Sequence, residues 1–493
     1  MNRREFLLSS LAAAPKDKPP NILLLCSDEH NHRVAGCYGN RLARTPNLDG
    51  LAARGVTFET AYTASPLCVP ARLALTAGKH IHRIGAWNNS CRLPGDDYPS
   101  LPHILNAAGY ESFLCGKQHY DAQHRYGFTE IGGNMNNASM TGTGGRRAAG
   151  DETVNETAGR ARYNEFRAGE DSSVISHDRR VTAGVLEFLS KRGRGDKPFF
   201  LFAGYLAPHF PLTVPERYWA PYRGKIPMPE IPAGHLENLP LNYKHLRRGF
   251  GVPVADAETI RRGRELYYGF TEWMDHEIGQ VLAALGKSGL ADNTAIVYTT
   301  DHGENMGEHG LWWKNCVYEH AAHVPMIFSW PKRWAGGQRR RGACSHLDMV
   351  RTVAEIGGAR IPRDWNGDSM LGWLDNRASA WKDLAVSQYY AHNIASGYAM
   401  IRTGDWKYVY HNAPDAAHPA ERELYNLAAD AGEFRNLARE SAEAGRIGKM
   451  HAALVKELGE DPEETERRCR ADYARGYGGE VRSKGQRRRR KSP

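Results

Sequence analysis

The sequence predicts an α/β fold with a mixed, mostly parallel sheet flanked by helices and a smaller C-terminal α+β subdomain. From Pro20 onward, short apolar runs alternate with segments of helical length, a pattern typical of strands joined by crossover helices. These runs are continuously apolar, as expected for strands that are covered on both faces. A third observation, a group of short strands with a tight turn after Trp381, predicts the smaller subdomain.

The strands of the main sheet follow from the apolar runs in chain order. Asn21–Cys26 is predicted to be a doubly buried strand, and similar runs follow at Glu111–Cys115, Pro198–Tyr205, Ala295–Thr299 and Val324–Phe328. Apolar residues at helical spacing predict a long helix from about Ala257 to Leu285. Between Gly132 and Gly169 the hydrophobic periodicity disappears, which predicts a long surface loop.

The C-terminal region is predicted to contain three strands and a helix. Tyr398–Tyr410 has the pattern of two strands joined by a turn at Thr403–Asp405, and Glu423–Leu427 is a candidate third strand. A helix over Glu443–Leu458 would pack on them. The predicted boundaries are 1–19 for a signal segment, 20–380 for the main domain, 381–475 for the subdomain and 476–493 for a disordered basic tail.

Composition excludes several classes of protein. A chain of 493 residues with 41% hydrophobic and 25% charged residues is typical of a globular protein, and it has no apolar run long enough to span a membrane. The net charge of +9 comes mostly from the run Val481–Pro493, which favours a solvated tail over a nucleic-acid site. The eight cysteines form no CxxC pair, which argues against a zinc site and a disulfide framework.

The N-terminus resembles a bacterial twin-arginine export signal. Arg3 and Arg4 precede a short apolar run, Phe6–Ala14, and a stretch of small residues. A functional signal predicts a periplasmic or secreted protein that is exported after folding. Without one the protein would be cytoplasmic.

Polar clusters follow four of the predicted strands, where open parallel sheets bind their ligands. The clusters are Asp28-Glu29-His30, Gly116-Lys117-Gln118-His119, Pro208-His209 and Asp301-His302-Gly303-Glu304. Converging carboxylates suggest a hard divalent cation such as Ca²⁺, Mg²⁺ or Mn²⁺. Lys117, Lys314 and Arg72 would add positive charge around a bound oxyanion, although surface ion pairs are the structural alternative.

The segment Cys68-Val-Pro70-Ala-Arg72, with Gly78 after it, resembles the sulfatase signature, in which a maturation enzyme converts the cysteine to formylglycine. Thr76-Ala77 stands where the family usually has Leu-Thr. Further segments in family order resemble sulfatases across roughly residues 20–440: Thr45–Asp49, Gly116–His119, Ala207–Pro211, Thr300–Glu304, Lys314–His320 and Glu423–Leu427.

This resemblance implies an alkaline-phosphatase-like fold and roles for individual residues. It implies that one divalent cation, with Ca²⁺ as the first candidate, is held by Asp28, Asp301, His302 and formylglycine 68. Glu29 occupies the position at which many family members have a second Asp ligand. Lys117 and Lys314 match residues that hold the substrate oxyanion, and Arg72 one that orients the formylglycine. His209, assisted by Lys314, is expected to protonate the leaving alcohol, and His119 to deprotonate the formylglycine hydrate.

The predicted activity is hydrolysis of the sulfate ester of a small substrate, with a sulfated carbohydrate as the favoured class. Trp87, Asn88 and Asn89, or Trp312 and Trp313, would suit a sugar, although buried packing explains either group equally well. Two other functions are open at this point. One is phosphonate or phosphate ester hydrolysis in the same superfamily, and the other is sulfated-glycan binding by an unmatured protein.

Overall fold

The computed structural model describes residues 18–136 and 145–476. Its strands are β1 (Asn21–Asp28), β2 (Val56–Tyr62), β3 (Glu111–Gly116), β4 (Thr129–Glu130), β5 (Arg167–Ala168), β6 (Phe199–Pro208), β7 (Thr213–Val214), β8 (Thr294–Thr300), β9 (His323–Ser329), β10 (Gln338–Arg340), β11 (Cys344–Ser345), β12 (Leu384–Tyr389), β13 (Tyr398–Thr403), β14 (Trp406–His411) and β15 (Glu421–Asn426).

The α-helices of these two ranges are α1 (Pro46–Ala53), α2 (Cys68–Ala77), α3 (Leu101–Ala107), α4 (Glu156–Tyr163), α5 (Ser173–Ser190), α6 (Glu216–Trp219), α7 (Leu241–Gly249), α8 (Ala257–Lys287), α9 (Glu319–Ala322), α10 (His346–Ile356), α11 (Leu371–Asp375), α12 (Ala444–Leu458) and α13 (Pro462–Ala474). None of the helices in the described ranges combines the length and the apolar character that a membrane crossing requires.

The main sheet is mixed and mostly parallel, as predicted. Its nine strands run in the order β10-β2-β9-β8-β1-β6-β3-β4, with β11 also paired to β2. The strand β1 is parallel to β6 and β8, and β3 is parallel to β6 and β4. The strand β9 is antiparallel to both of its neighbours, β2 and β8.

Helices cover both faces of the sheet, which explains the continuously apolar strands. Side chains of β1 alternate between the faces, so Leu23 and Leu25 pack in one core with residues of α5 and α8. Leu24 packs in a second core on the opposite face with residues of α2, α3 and α10. Both faces of β1 are covered, so its sequence does not alternate between apolar and polar residues.

Four parallel strands of the sheet end at one edge and bring the predicted polar clusters together. Asp28 is the last residue of β1, Lys117 follows β3, His209 follows β6, and Asp301 follows β8. The register pairs Asp28 with Pro208, the residue before His209. The fold therefore places the chemistry at the carboxyl edge of the sheet.

The C-terminal subdomain is an antiparallel sheet, β12-β13-β14-β15, with α12 packed on it. The predicted hairpin is present as β13 and β14, the predicted third strand as β15, and the predicted helix as α12. Residues 1–17, which hold the predicted export motif, and residues 477–493 of the basic tail lie outside the described ranges.

The prediction of one continuous loop over Gly132–Gly169 is wrong, because α4 and β5 lie within it. The helix α4 begins after Asn155, whose side chain accepts a hydrogen bond from the Ala158 amide. It buries only Gly159 and Tyr163, so its sequence has no apolar stripe that would reveal it. Residues 137–144 of this segment lie outside the described ranges.

A buried charge cluster joins the subdomain to the main domain. Lys407 on β14 lies 2.6 Å from Glu319 Oε1 and 2.6 Å from Glu433 Oε1, and it donates to the Val317 carbonyl at 2.9 Å. Tyr62 of the main sheet donates to the same Glu319 carboxylate at 2.8 Å. One ammonium group therefore compensates two carboxylates in the interior.

Substitution Lys407→Met should lower the free energy of unfolding by about 3–5 kcal/mol, because it leaves two buried carboxylates without a counter-charge. Urea unfolding of both proteins at pH 7 measures the difference. The same exchange at Lys449, which is exposed on α12, is the control and should change stability by less than about 0.5 kcal/mol. Equal effects at the two positions would contradict the proposed contribution of the cluster.

Candidate active site

The helix α2 presents Cys68 and Arg72 to the carboxyl edge of the sheet. It begins at Cys68, directly after Leu67 in extended conformation. Residues four apart lie on the same face of a helix, so Cys68 and Arg72 point to the same side. Asn89 Oδ1 accepts a hydrogen bond from the Val69 amide at 3.1 Å and so satisfies one of the free N–H groups of the first turn.

Four buried side chains offer ligand atoms within 4.8 Å of one another: Asp28, Cys68, Asp301 and His302. Cys68 Sγ lies 3.2 Å from His302 Nε2 and 3.8 Å from Asp28 Oδ1. His302 Nδ1 lies 3.1 Å from the Gly303 carbonyl and donates to it, which leaves the Nε2 lone pair facing the group. Two carboxylates and an imidazole nitrogen form a donor set that binds divalent cations.

Two cationic side chains compensate the aspartates. Arg72 Nε lies 2.8 Å from Asp301 Oδ2 and Arg72 Nη2 lies 3.0 Å from Asp28 Oδ2. Lys117 Nζ lies 2.5 Å from Asp28 Oδ2. Burial alone would raise the pKa of Asp28, but Lys117, together with His209 and Arg72, outweighs it and holds that pKa well below its ordinary value. Asp28 is therefore ionised.

A second group of side chains links Glu29, Lys314 and His209. Lys314 Nζ donates to Glu29 Oε2 at 2.9 Å and to His209 Nε2 at 2.8 Å. His209 Nδ1 donates to the Phe210 carbonyl at 2.5 Å, so the Nε2 lone pair faces Lys314. Burial raises the pKa of Glu29 well above its ordinary value despite Lys314. Asp28, Glu29 and His209 form a second set of possible ligands, and the role of Glu29 as a ligand stays a prediction.

His119 follows Lys117 in a left-handed backbone conformation, with φ 62°. Its Nδ1 is buried, and no group in the described ranges bonds to it. Burial, followed by the charges of Lys117 and Arg72, lowers the pKa of His119 well below its ordinary value. The ring is therefore neutral at pH 7 and has a lone pair that can accept a proton.

The unmodified Cys68 thiol is a poor nucleophile in this environment. Burial, followed by the Asp28 carboxylate, raises the pKa of the Cys68 thiol to about 12. Because the thiolate is the reactive form of cysteine, this side chain is not activated at pH 7. The thiol nevertheless lies among the ligand atoms, with its Sγ 3.2 Å from His302 Nε2.

The residues considered for a sugar pocket have other contacts. Trp87 Nε1 donates to Asp472 at 2.8 Å and Asn88 Nδ2 donates to the Tyr473 hydroxyl at 3.2 Å, so both pack against α13. For these two residues, the packing interpretation is the one that the structure supports. Trp312 and Trp313 are buried as well.

Sequence reasoning missed Phe210, which forms part of the wall of the site. Its ring lies 4.2 Å from the His209 ring and 4.6 Å from the Trp313 ring. Lys314 Nζ lies 5.1 Å from the centre of the same ring. Its place directly after the Pro208-His209 cluster was the available signal for this role.

Comparison with known proteins identifies relatives across most of the chain. The family model described as Sulfatase matches residues 20–359, and one described as N-sulphoglucosamine sulphohydrolase, C-terminal, matches residues 307–460. The uncharacterized sulfatase YidJ of Escherichia coli (strain K12) is 28% identical over 450 residues, which cover 89% of this chain and 87% of the relative. An N-acetylglucosamine-6-O-sulfatase of Bacteroides thetaiotaomicron is 26% identical over 533 residues, covering 93% and 89%.

The crystal structure of the phosphonate monoester hydrolase of Agrobacterium radiobacter has a TM-score of 0.74 against this chain. The two are 21% identical, and the match covers 89% of this chain and 95% of the hydrolase. At this identity the match shows a shared fold.

Proposed function

Because the chain belongs to the sulfatase family and is a sulfuric ester hydrolase, we propose that it cleaves the sulfate ester of a carbohydrate at the site around residue 68. The observation that carries this proposal is the buried group of Cys68, Asp28, Asp301 and His302 with lysines beside it. This group combines ligands for a cation, positive charge for an anion and a position for a nucleophile.

The residues present fit a divalent cation. In the site Asp28 and Asp301 are paired with Arg72 and Lys117, and Glu29 is paired with Lys314. A divalent cation would make the site positive, as binding of an anionic ester requires. Glu29 Oε1 is a buried oxygen to which no group in the described part of the chain bonds, and it could serve as a further ligand.

We propose Asp28, Asp301, His302 and the side chain of residue 68 as ligands, with Glu29 completing the set. Calcium is the proposed ion because oxygen donors predominate, and it accepts more of them than magnesium does. When bound, the cation would polarise a sulfuryl oxygen and lower the pKa of a neighbouring hydroxyl group.

We propose that a maturation enzyme converts Cys68 to formylglycine. The segment Cys68-Val-Pro70-Ala-Arg72 and the unreactive thiol both support this. In its hydrated form, formylglycine would supply one hydroxyl group as the nucleophile for sulfur. Deprotonation of the second hydroxyl group would then expel sulfate, with cleavage of the bond from carbon to the sulfated oxygen, and regenerate the aldehyde.

Lys117 and Lys314 are the groups that would hold the sulfuryl oxygens. Lys117 contacts Asp28, whose Oδ1 lies 3.8 Å from Cys68 Sγ, and Lys314 contacts Glu29, the residue after Asp28. As the sulfur–oxygen bond of the ester breaks, they would stabilise the negative charge that develops. Arg72 contacts both aspartates and is a positioning residue.

Proton transfer is divided between the two histidines. His209 Nε2 accepts a hydrogen bond from the Lys314 ammonium, so His209 can take a proton from Lys314 and pass it to the departing alcohol. His119 is neutral, with an unbonded ring nitrogen, and is suited to take a proton from the hydrate at residue 68. A carbohydrate leaving group makes the acid important because its alkoxide is strongly basic.

Hydrolysis of phosphonate esters is the nearest rival because such a hydrolase shares the fold. Initial rates on para-nitrophenyl sulfate and on a para-nitrophenyl phosphonate monoester distinguish the two functions. We expect a higher kcat/KM for the sulfate. A higher value for the phosphonate would favour the rival, and absence of both activities in protein that carries formylglycine would contradict both.

Substitution His209→Ala should slow the hydrolysis of alkyl sulfates about 10²–10⁴-fold and the hydrolysis of para-nitrophenyl sulfate much less. A basic alkoxide needs a proton to leave, whereas the nitrophenolate leaves unaided. Rates over a series of leaving groups of increasing pKa measure the effect. Equal losses across the series would exclude His209 as the acid. Accumulation of a sulfated enzyme in the His209→Ala variant would instead assign to His209 the role proposed for His119.

A further inference from the structure

An aromatic wall runs from the proposed acid to a guanidinium group. It consists of Phe210, whose ring stacks on His209, and of Trp313, 4.6 Å from Phe210. The guanidinium carbon of Arg162, on α4, lies 5.9 Å from the centre of the Trp313 ring and 5.3 Å from that of Phe250. Arg162 is therefore connected to the proposed acid, His209, through the rings of Trp313 and Phe210.

Arg162 has no anionic partner in the described part of the chain. Its hydrogen bond to the Ala158 carbonyl, within the same helix, is 3.4 Å long. The carboxylate whose charge acts on it is Glu29, which is already bound to Lys314. Cation–π contacts with two rings hold the guanidinium in place but do not use its N–H donors.

The neighbouring Arg160, unlike Arg162, forms an ion pair within its own helix. It lies on the same helix, is exposed, and pairs with Glu156 at 3.3 Å. Burial of Arg162 instead lowers the pKa of its guanidinium, as expected for a charge without compensation. Arg162 is partly buried, so an anionic ligand would compensate a charge that is less well solvated than that of Arg160.

A second polar group without a partner among the described residues lies on the loop after β12. His392 Nδ1 is buried, and nothing among the described residues bonds to it. The His392 ring lies edge-on to Phe250 at 5.7 Å, and the charges of Lys314 and Arg162 both act on it. Tyr389 donates to the His392 carbonyl at 2.9 Å, which fixes the loop at this position.

We propose that Arg162 binds a second anionic group, carried by the alcohol that leaves from the sulfate ester, and thereby determines substrate specificity. The inference rests on the proposed function, since it needs an ester at residue 68. A carboxylate and a second sulfate share the chemistry required, two oxygens that a guanidinium can hold bidentately. His392 offers a further hydrogen bond to the same group.

Paired aryl sulfates test the proposal. The probes are para-nitrophenyl sulfate and its derivatives with a carboxylate or a sulfonate at the ortho or meta position. The wild-type protein should prefer at least one charged derivative over the parent by kcat/KM. Arg162→Gln should lower the ratio of kcat/KM for the charged derivative to kcat/KM for the parent about 10- to 100-fold, the effect of one charge-assisted hydrogen-bond pair.

Two further variants sharpen the test. Arg162→Lys should recover part of the ratio, because it restores the charge but not the planar fork. Arg160→Gln, the same exchange on the same helix, should leave the ratio at the wild-type value. A loss confined to carboxylate derivatives identifies a carboxylate ligand, and one confined to sulfonates identifies a sulfate.

A wild-type protein without preference for any charged derivative, or an Arg162→Gln variant with an unchanged ratio, would overturn the inference. Both results leave the proposed function intact if para-nitrophenyl sulfate is hydrolysed. Failure of formylglycine-containing protein to hydrolyse any of the sulfates would instead contradict the proposed function.

Discussion

Substitution Cys68→Ser should lower kcat for sulfate esters by at least about 10⁴-fold, the scale on which loss of a catalytic nucleophile acts. Cys68 is the first residue of α2, and its Sγ lies 3.2 Å from His302 Nε2 among the proposed ligand atoms. A serine hydroxyl could attack sulfur once, but it lacks the second hydroxyl that expels sulfate. A covalent sulfated enzyme should therefore accumulate.

Steady-state rates and intact mass during turnover measure these two effects. The same exchange at Cys91, a buried thiol outside the site, is the matched control and should keep the wild-type kcat. Turnover by Cys68→Ser within tenfold of the wild-type rate would show that the reaction does not depend on residue 68.

Substitution Asp301→Asn should weaken binding of the divalent cation at least about 100-fold and lower kcat on the order of 10³-fold. Asp301 supplies one oxygen to the proposed ligand set, and its Oδ2 lies 2.8 Å from Arg72 Nε. The exchange keeps the shape of the side chain while it removes a negative charge. Metal content after dialysis, measured together with kinetics, tests whether the two losses coincide.

Asp348→Asn is the control for this experiment. Asp348 is equally buried, but its carboxylate caps α10 and has no place among the ligand groups of the site. This variant should retain its metal and its kcat, with a modest loss of stability. Wild-type metal content and turnover in Asp301→Asn would rule out the proposed cation site.

Much of the main sheet could be predicted because its strands are covered on both faces. The apolar run at Asn21–Cys26 corresponds to β1 within two residues, and the prediction that polar clusters meet follows from parallel strands ending at one edge. The helix predicted from about Ala257 to Leu285 is α8, Ala257–Lys287.

Other features depend on contacts between distant segments and left no local pattern. The helix α4 has almost no apolar face, so periodicity could not reveal it or its residue Arg162. Trp87 packs against α13, and no motif connects these two parts of the chain. In the same way, no local pattern revealed the contact of Glu29 Oε2 with Lys314, a residue far away in sequence, and the role of Glu29 as a metal ligand stays a prediction.

The most direct test of the proposed function is to measure sulfate release as a function of the formylglycine content of residue 68. Protein produced with increasing amounts of a formylglycine-generating enzyme is analysed by peptide mass and by its rate on para-nitrophenyl sulfate. The rate should rise in proportion to the formylglycine fraction and extrapolate to zero for the unmodified thiol. Full activity of protein that carries only the thiol would contradict the mechanism.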